Sequence, residues 1–143
     1  MNIPAEAQAF IKRQGWGCIR STKSVNGGCI NNVVWIETEH GPPALIKTNQ
    51  YPPPNMFARE ADGLRTLAVH GGPKVPIVYA CGRDWIMMEY LYAAPKRDDY
   101  WESLGANLAR LHNVTNDKFG FSNYNYIGST PQKNTWTTDG HTF

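Results

Sequence analysis

An α+β fold is what this sequence predicts. Three observations lead there: about five short segments of strand character, an amphipathic helical stretch inserted after the third, and helical stretches on either side of the block. At 143 residues the chain is long enough for one domain with a real core and too short for two ordinary ones.

Residues 4–14 read as a helix, because Pro4 suits a first turn, alanine and glutamine favour helix, and Gly15 follows as a stop. Residues 18–25 mix β-branched and polar side chains and read as an untidy strand leading to Gly27-Gly28. Residues 32–38 and 44–48 are the next two strands, joined through Gly41-Pro42-Pro43. Gly27-Gly28 therefore sits inside an antiparallel hairpin, where glycine permits positive φ and lets the backbone approach a ligand closely; a plain turn satisfies the same pattern. Three prolines, Pro52 to Pro54, can neither join a central strand nor continue a helix, and they lead into a helix over 55–69 that Gly71-Gly72 closes. Residues 77–81 and 85–91 flank a turn at Gly82-Arg83-Asp84 as a second hairpin.

A connector containing Pro95 precedes a helix over 99–113 with Trp101, Leu104, Leu108 and Leu111 on one face. His112 near its end is read as capping or packing rather than catalytic. From Thr115 onward periodicity disappears, and the aromatic, Asn- and Gly-rich segment is read as irregular, either lining a site or awaiting more protein against it.

Composition narrows the partners. Charged residues make up 18% and aromatics 12%, a balance suited to a chain that buries much of its surface. A formal charge of +2 without a stripe of Lys and Arg gives no footing for nucleic acid. Cys18, Cys29 and Cys81 are odd in number and far apart, without a Cys-x-x-Cys pair; that argues against zinc and a disulfide framework and fits a reducing cytoplasm. No stretch approaches the ~20 apolar residues needed to span a bilayer, and no secretory pattern opens the chain, so neither membrane insertion nor secretion is expected.

Two charges stand where apolar residues are expected. Lys47 shares a strand face with Leu45, since side chains alternate with period two. Glu60 lies within the helical stripe formed by Phe57, Ala61, Leu64 and Leu67, with Arg59, Asp62 and Arg65 on the opposite side. Each charge is costly to bury alone and much less so when paired. Either Lys47 and Glu60 meet, or Lys47 snorkels to water and Glu60 sits at the stripe's edge. A strand lysine oriented by a helix glutamate behind a glycine-rich turn is the device by which protein-kinase-like folds hold the α- and β-phosphates of ATP. Neither the Rossmann nor the Walker glycine pattern is present.

Gly27-Gly28-Cys29-Ile30-Asn31, Ile46-Lys47, Met56-Phe57 with Glu60-Ala61, Met88-Glu89-Tyr90-Leu91, Leu108-Ala109 with Leu111-His112, Phe119-Gly120-Phe121 and the run Asn125 to Gln132 together resemble the fructosamine kinase (ketosamine 3-kinase) family, within the protein-kinase-like superfamily that includes aminoglycoside phosphotransferases. The resemblance covers almost all of the chain after residue 24. It implies a kinase-like N-lobe over 1–91, with an antiparallel sheet and a C-type helix, and a hinge-following helix and inter-lobe segment over 92–143. It also implies ATP-dependent phosphorylation of a sugar hydroxyl on ketosamines, with Mg²⁺ held by residues of a C-lobe.

By the same resemblance Gly27, Gly28, Cys29, Ile30 and Asn31 form the glycine-rich loop over the phosphates. Lys47 and Glu60 are the strand and helix pair, Met88 is the gatekeeper, and the backbone of Glu89 and Leu91 meets adenine at the hinge. Cys29 is a redox candidate, because a thiol on such a loop can be exposed and have its pKa lowered by positive charge. The chain stops at Phe143 and contains no His-Gly-Asp loop, so the expectation is weak nucleotide binding without useful turnover, no catalytic or metal-ligating residue in these 143 residues, and a possible homodimer through an exposed inter-lobe face or Cys29. Two other readings stay open: a non-catalytic nucleotide-binding or regulatory module, and a related small-molecule kinase acting on an aminoglycoside or choline.

Overall fold

The computed structural model describes residues 3–25 and 30–142. Its centre is a five-stranded antiparallel sheet in the order β1-β2-β3-β5-β4, with β1 Ile19–Ser24, β2 Asn32–Thr38, β3 Ala44–Thr48, β4 Val78–Cys81 and β5 Trp85–Glu89. A helix lies on each face. The strand count and the two hairpins agree with the sequence reading, and the uneven alternation of the first strand corresponds to a register shift between Ile19 and Ser21.

Helix α1, Ala5–Arg13, starts directly after Pro4 and stops before Gly15, whose φ of 69° suits a residue without Cβ. It buries Ala7 and Ile11 against Val34, Ile36, Ile46 and Met87, the side chains that β2, β3 and β5 turn to that face. Phe10, Trp16 and Tyr79 close the edge of this core through edge-to-face contacts with centroids 5.6 Å and 5.2 Å apart.

Helix α2, Met56–Leu67, covers the other face through Phe57 and Ala61, which meet Ile86 and Met88. It is shorter than predicted. Its last residue is Leu67, so Gly71-Gly72 lies beyond its end, in a turn where the Gly72 amide donates to the Val69 carbonyl. The fifth strand likewise ends at Glu89, two residues early.

Helix α3, Tyr100–His112, forms as expected, but its apolar face does not pack: none of its residues is buried, and Trp101 is 67% exposed. Leu104 and Leu108 remain 39% and 42% exposed. His112 is exposed in the last turn. The segment expected to be irregular instead contains a short hairpin, β6 Asn125–Ile127 with β7 Thr130–Gln132. Three residues per strand are too few for period-two alternation to register, and the turn is carried by Gly128 at φ 62°. The flanking chain closes on itself where Phe119 and Thr137 exchange backbone hydrogen bonds of 2.8 Å and 2.9 Å.

No helix among the described residues is long and apolar enough to cross a membrane.

Candidate functional site

Register places the cleft. Lys47 lies opposite Val33 on one side and Ile86 on the other, and Leu45 lies opposite Trp35 and Met88. Residues directly opposite one another share a face, so Val33, Trp35, Leu45, Lys47, Ile86 and Met88 all turn toward the α2 side of the sheet. Phe57, Ala61 and Leu64 pack there, which brings the intervening Glu60 over the end of β3.

The two expected charges meet. Lys47 Nζ donates to Glu60 Oε1 at 2.5 Å across thirteen residues of sequence, with the two side chains 30% and 26% exposed. A pair this open to solvent contributes about 0–1 kcal/mol to stability. Its setting is a cleft of about 370 Å³ formed by β3, α2 and the β6–β7 hairpin, lined by Lys47, Glu60, Asn31 and Tyr126 among others.

Gly27, Gly28 and Cys29 fall outside the described residues. The end of that segment is described. Asn49, just past β3, donates from Nδ2 to Asn31 Oδ1 at 3.0 Å and to the Ile30 carbonyl at 3.4 Å, and its own Oδ1 accepts from the Tyr51 amide. Ile30 and Asn31 are therefore tied to the end of the strand that carries Lys47.

At the opposite end, Met88 is 4% exposed, behind α2. The amide of Glu89 donates to the Ile77 carbonyl at 2.8 Å, so that N–H is committed to the sheet edge. The Glu89 carboxylate turns the same way, taking the Lys74 ammonium at 2.9 Å and the Ile77 amide at 3.1 Å. The Lys74 hydrogen bond, then the Ile77 amide, hold the Glu89 carboxyl below its ordinary range. Burial, followed by that nearby negative charge, pushes the Tyr79 hydroxyl upward. Leu91 follows, partly exposed, beside the ring contact of Tyr90 with Tyr92.

Two contributors were not fully legible in the sequence: Trp35, which was not singled out, and the β6–β7 hairpin, whose segment was read as either lining a site or awaiting more protein. Trp35 sits on the cleft face beside Tyr90, ring centroids 6.3 Å apart, and its buried indole Nε1 has no hydrogen-bond partner. Its strand position was legible, but not that its ring would meet Tyr90. The β6–β7 hairpin is the other: Asn125, Tyr126 and Gly128 line the Lys47 cleft, and the Tyr126 hydroxyl donates to the Pro54 carbonyl at 3.1 Å. Arg59, expected on the solvent side of α2, consequently lies between two grooves under this hairpin. Among the described residues no group of three or more His, Cys, Asp or Glu is arranged to hold a metal ion.

The ammonium of Lys47, the guanidinium of Arg59 and the amide side chains of Asn31 and Asn125 line a cleft between sheet and helix, a set that suits an anionic ligand. Comparison with known proteins is consistent with that chemistry. The family model "Fructosamine kinase" matches residues 4–143. The chain is 37% identical over 128 residues to a "Protein-ribulosamine 3-kinase, chloroplastic" of Oryza sativa subsp. indica, covering 85% of this chain and 37% of that one. It is 35% identical over 124 residues to a "Probable ketoamine kinase" of Synechocystis, covering 83% and 42% respectively. A crystal structure of a "Putative fructosamine-3-kinase" from Haemophilus somnus 129PT superposes with a TM-score of 0.80 at 25% identity, over 93% of this chain and 47% of the other. The chain thus spans well under two thirds of the length of these relatives.

Proposed function

The chain belongs to the fructosamine kinase family, and we propose that it is the nucleotide-binding part of an ATP-dependent kinase acting on a sugar hydroxyl of ketosamines. The observation that carries the reading is the 2.5 Å contact of Lys47 with Glu60 in an open cleft. Such a pair adds little to stability and interrupts an otherwise apolar helix stripe. Its placement is better explained by what it presents to the cleft.

Bound ATP supplies the transferred phosphoryl group, and Mg²⁺ the charge that neutralises its oxygens. The residues of this chain act on position and charge. Glu60 holds the Lys47 side chain extended along the cleft, so that the ammonium meets the α- and β-phosphates without first being ordered. Gly27 to Asn31 would be the loop over the same phosphates by family resemblance, and of that stretch the Asn49–Asn31 bond holds Asn31 beside the end of β3. Met88 limits the depth of the base pocket. With the Glu89 amide already committed to Ile77, adenine is met by the Glu89 carbonyl and the Leu91 amide.

Kinase-like folds also need a carboxylate to accept the hydroxyl proton and another to hold Mg²⁺, and this sequence contains no His-Gly-Asp loop. The 143 residues alone are therefore proposed to bind nucleotide without useful turnover. The test has two arms. Titration with a fluorescent ADP analogue should show binding to the wild type that Lys47→Met weakens at least tenfold; equal binding overturns the reading. A coupled ATP-consumption assay with a ketosamine should show turnover for a version extended past Phe143 and none for the 143 residues, and full activity in the short chain refutes the division of labour.

A second reading, a docking or regulatory module that binds nucleotide without catalysis, draws on α3, whose face of Trp101, Leu104 and Leu108 lies exposed. The same face would serve a homodimer. Light scattering distinguishes these from an independent monomer.

A further inference from the structure

The run from Asn125 to Gln132 forms a hairpin 72 residues distant in sequence from the loop it touches, and nothing in the ion-pair reading explains why it is there. We propose that this hairpin braces helix α2, with Tyr126 as a positioning residue for the Lys47–Glu60 pair; the inference rests on the reading of that cleft as a nucleotide site.

The N-terminus of α2 has no side-chain cap. Asn55 precedes it at a φ of 61°, in the left-handed region, and makes no side-chain capping bond. The preceding run of three prolines donates no backbone N–H. The start of the helix is tied locally by the Met56 amide, which donates to the Pro53 carbonyl at 3.1 Å, and by the burial of Met56 and Phe57; the Tyr126 hydroxyl adds a tie from outside by donating to the Pro54 carbonyl at 3.1 Å, two residues before the first helical residue. Glu60 lies one turn further on, so a rotation or outward shift of the first turn carries its carboxylate away from Lys47.

The hairpin also reaches the other wall of the cleft. A Cβ placed on Gly128 would stand 2.7 Å from Ile30 Cδ1, so the hairpin turn lies against Ile30, two residues past the glycine pair. One short element thus contacts the end of the glycine-rich segment, the loop before α2 and α2 itself. The hairpin is internally fixed for this work: Asn134 Nδ2 donates to both the Asn123 carbonyl and Asn125 Oδ1, at 3.0 Å and 2.9 Å. The Tyr124 hydroxyl pairs with Thr135 Oγ1 at 3.0 Å. These polar groups are spent on one another, which is the arrangement of a strut rather than of a ligand pocket.

The test is Tyr126→Phe, which removes one hydroxyl and keeps the ring, in the 143-residue chain. Amide hydrogen exchange is followed without nucleotide, and ADP affinity is measured separately. Exchange in the first turn of α2 should quicken by about 2- to 10-fold, the range expected for losing one hydrogen bond, while amides of β2 and β3 keep their rates. Unchanged α2 exchange overturns the brace, and so does an equal increase throughout the sheet, which marks general destabilisation. For affinity, Tyr126→Phe should weaken ADP binding by a comparable factor, and the loss should shrink when Glu60→Gln is already present, because the two act through one contact. Additive losses overturn the positioning role. If Lys47→Met leaves ADP binding unchanged, the nucleotide reading fails by itself, and the exchange result alone decides the brace.

Discussion

At the residue scale, the cleft is defined by side chains whose value lies in placement. Lys47 and Glu60 are each about a quarter to a third exposed, so solvent screens their attraction. Glu60→Gln should therefore lower unfolding free energy by less than about 1 kcal/mol in urea denaturation while weakening nucleotide binding severalfold; a large stability loss with normal binding would make the pair structural. Glu89 is a different case. Its carboxyl titrates below the ordinary value of 4.5 in the folded chain, so the unfolded state binds the proton first as pH falls. The stabilisation is present above the unfolded value and is lost as pH drops through the lower folded one. Glu89→Gln should accordingly flatten the acid limb of stability against pH between about 5 and 3, and leave the neutral region parallel to wild type. Tyr79, raised instead, contributes below pH ~10 and loses that contribution above it, so neither group titrates near neutrality.

At the scale of elements, α2 has two working sides. Its inner side buries Phe57 and Ala61 completely against β5, and Phe57→Ala should cost about 3–5 kcal/mol through the cavity it leaves, read as a drop in the urea midpoint at constant m-value. Its outer side is held by the hairpin, where Gly128 combines a φ of 62° with contact against Ile30. Gly128→Ala should cost about 1–2 kcal/mol, read as a drop in the urea midpoint. The main elements were legible because each carried its own signal, such as Pro4 and Gly15 around α1. Ends were less so: Gly71-Gly72 looked like the stop of α2, yet the helix ends at Leu67, since a chain can leave helical geometry before its glycine. The hairpin was invisible for a related reason, being too short to alternate and held by amide side chains that make no periodic pattern.

At the scale of the whole molecule, a sheet with α1 on one face and α2 on the other makes a kinase-like N-lobe, the fold shared with the solved relative. The apolar side of α3 lies outside that sandwich and is left bare. If it is a docking face, Leu108→Glu should shift any dimer toward monomer in light scattering without changing the exchange rates of the sheet. The residues by themselves determined the five strands of the main sheet, the three helices and the two misplaced charges, because alternation, helical spacing and the cost of burying a lone charge are local or pairwise rules. Only the tertiary structure decided that the charges meet within reach of solvent, that the Glu89 amide is spent on Ile77, and that a hairpin from the far end of the chain closes over α2. Those outcomes depend on which surfaces find one another across tens of residues, and no spacing within a single segment encodes that.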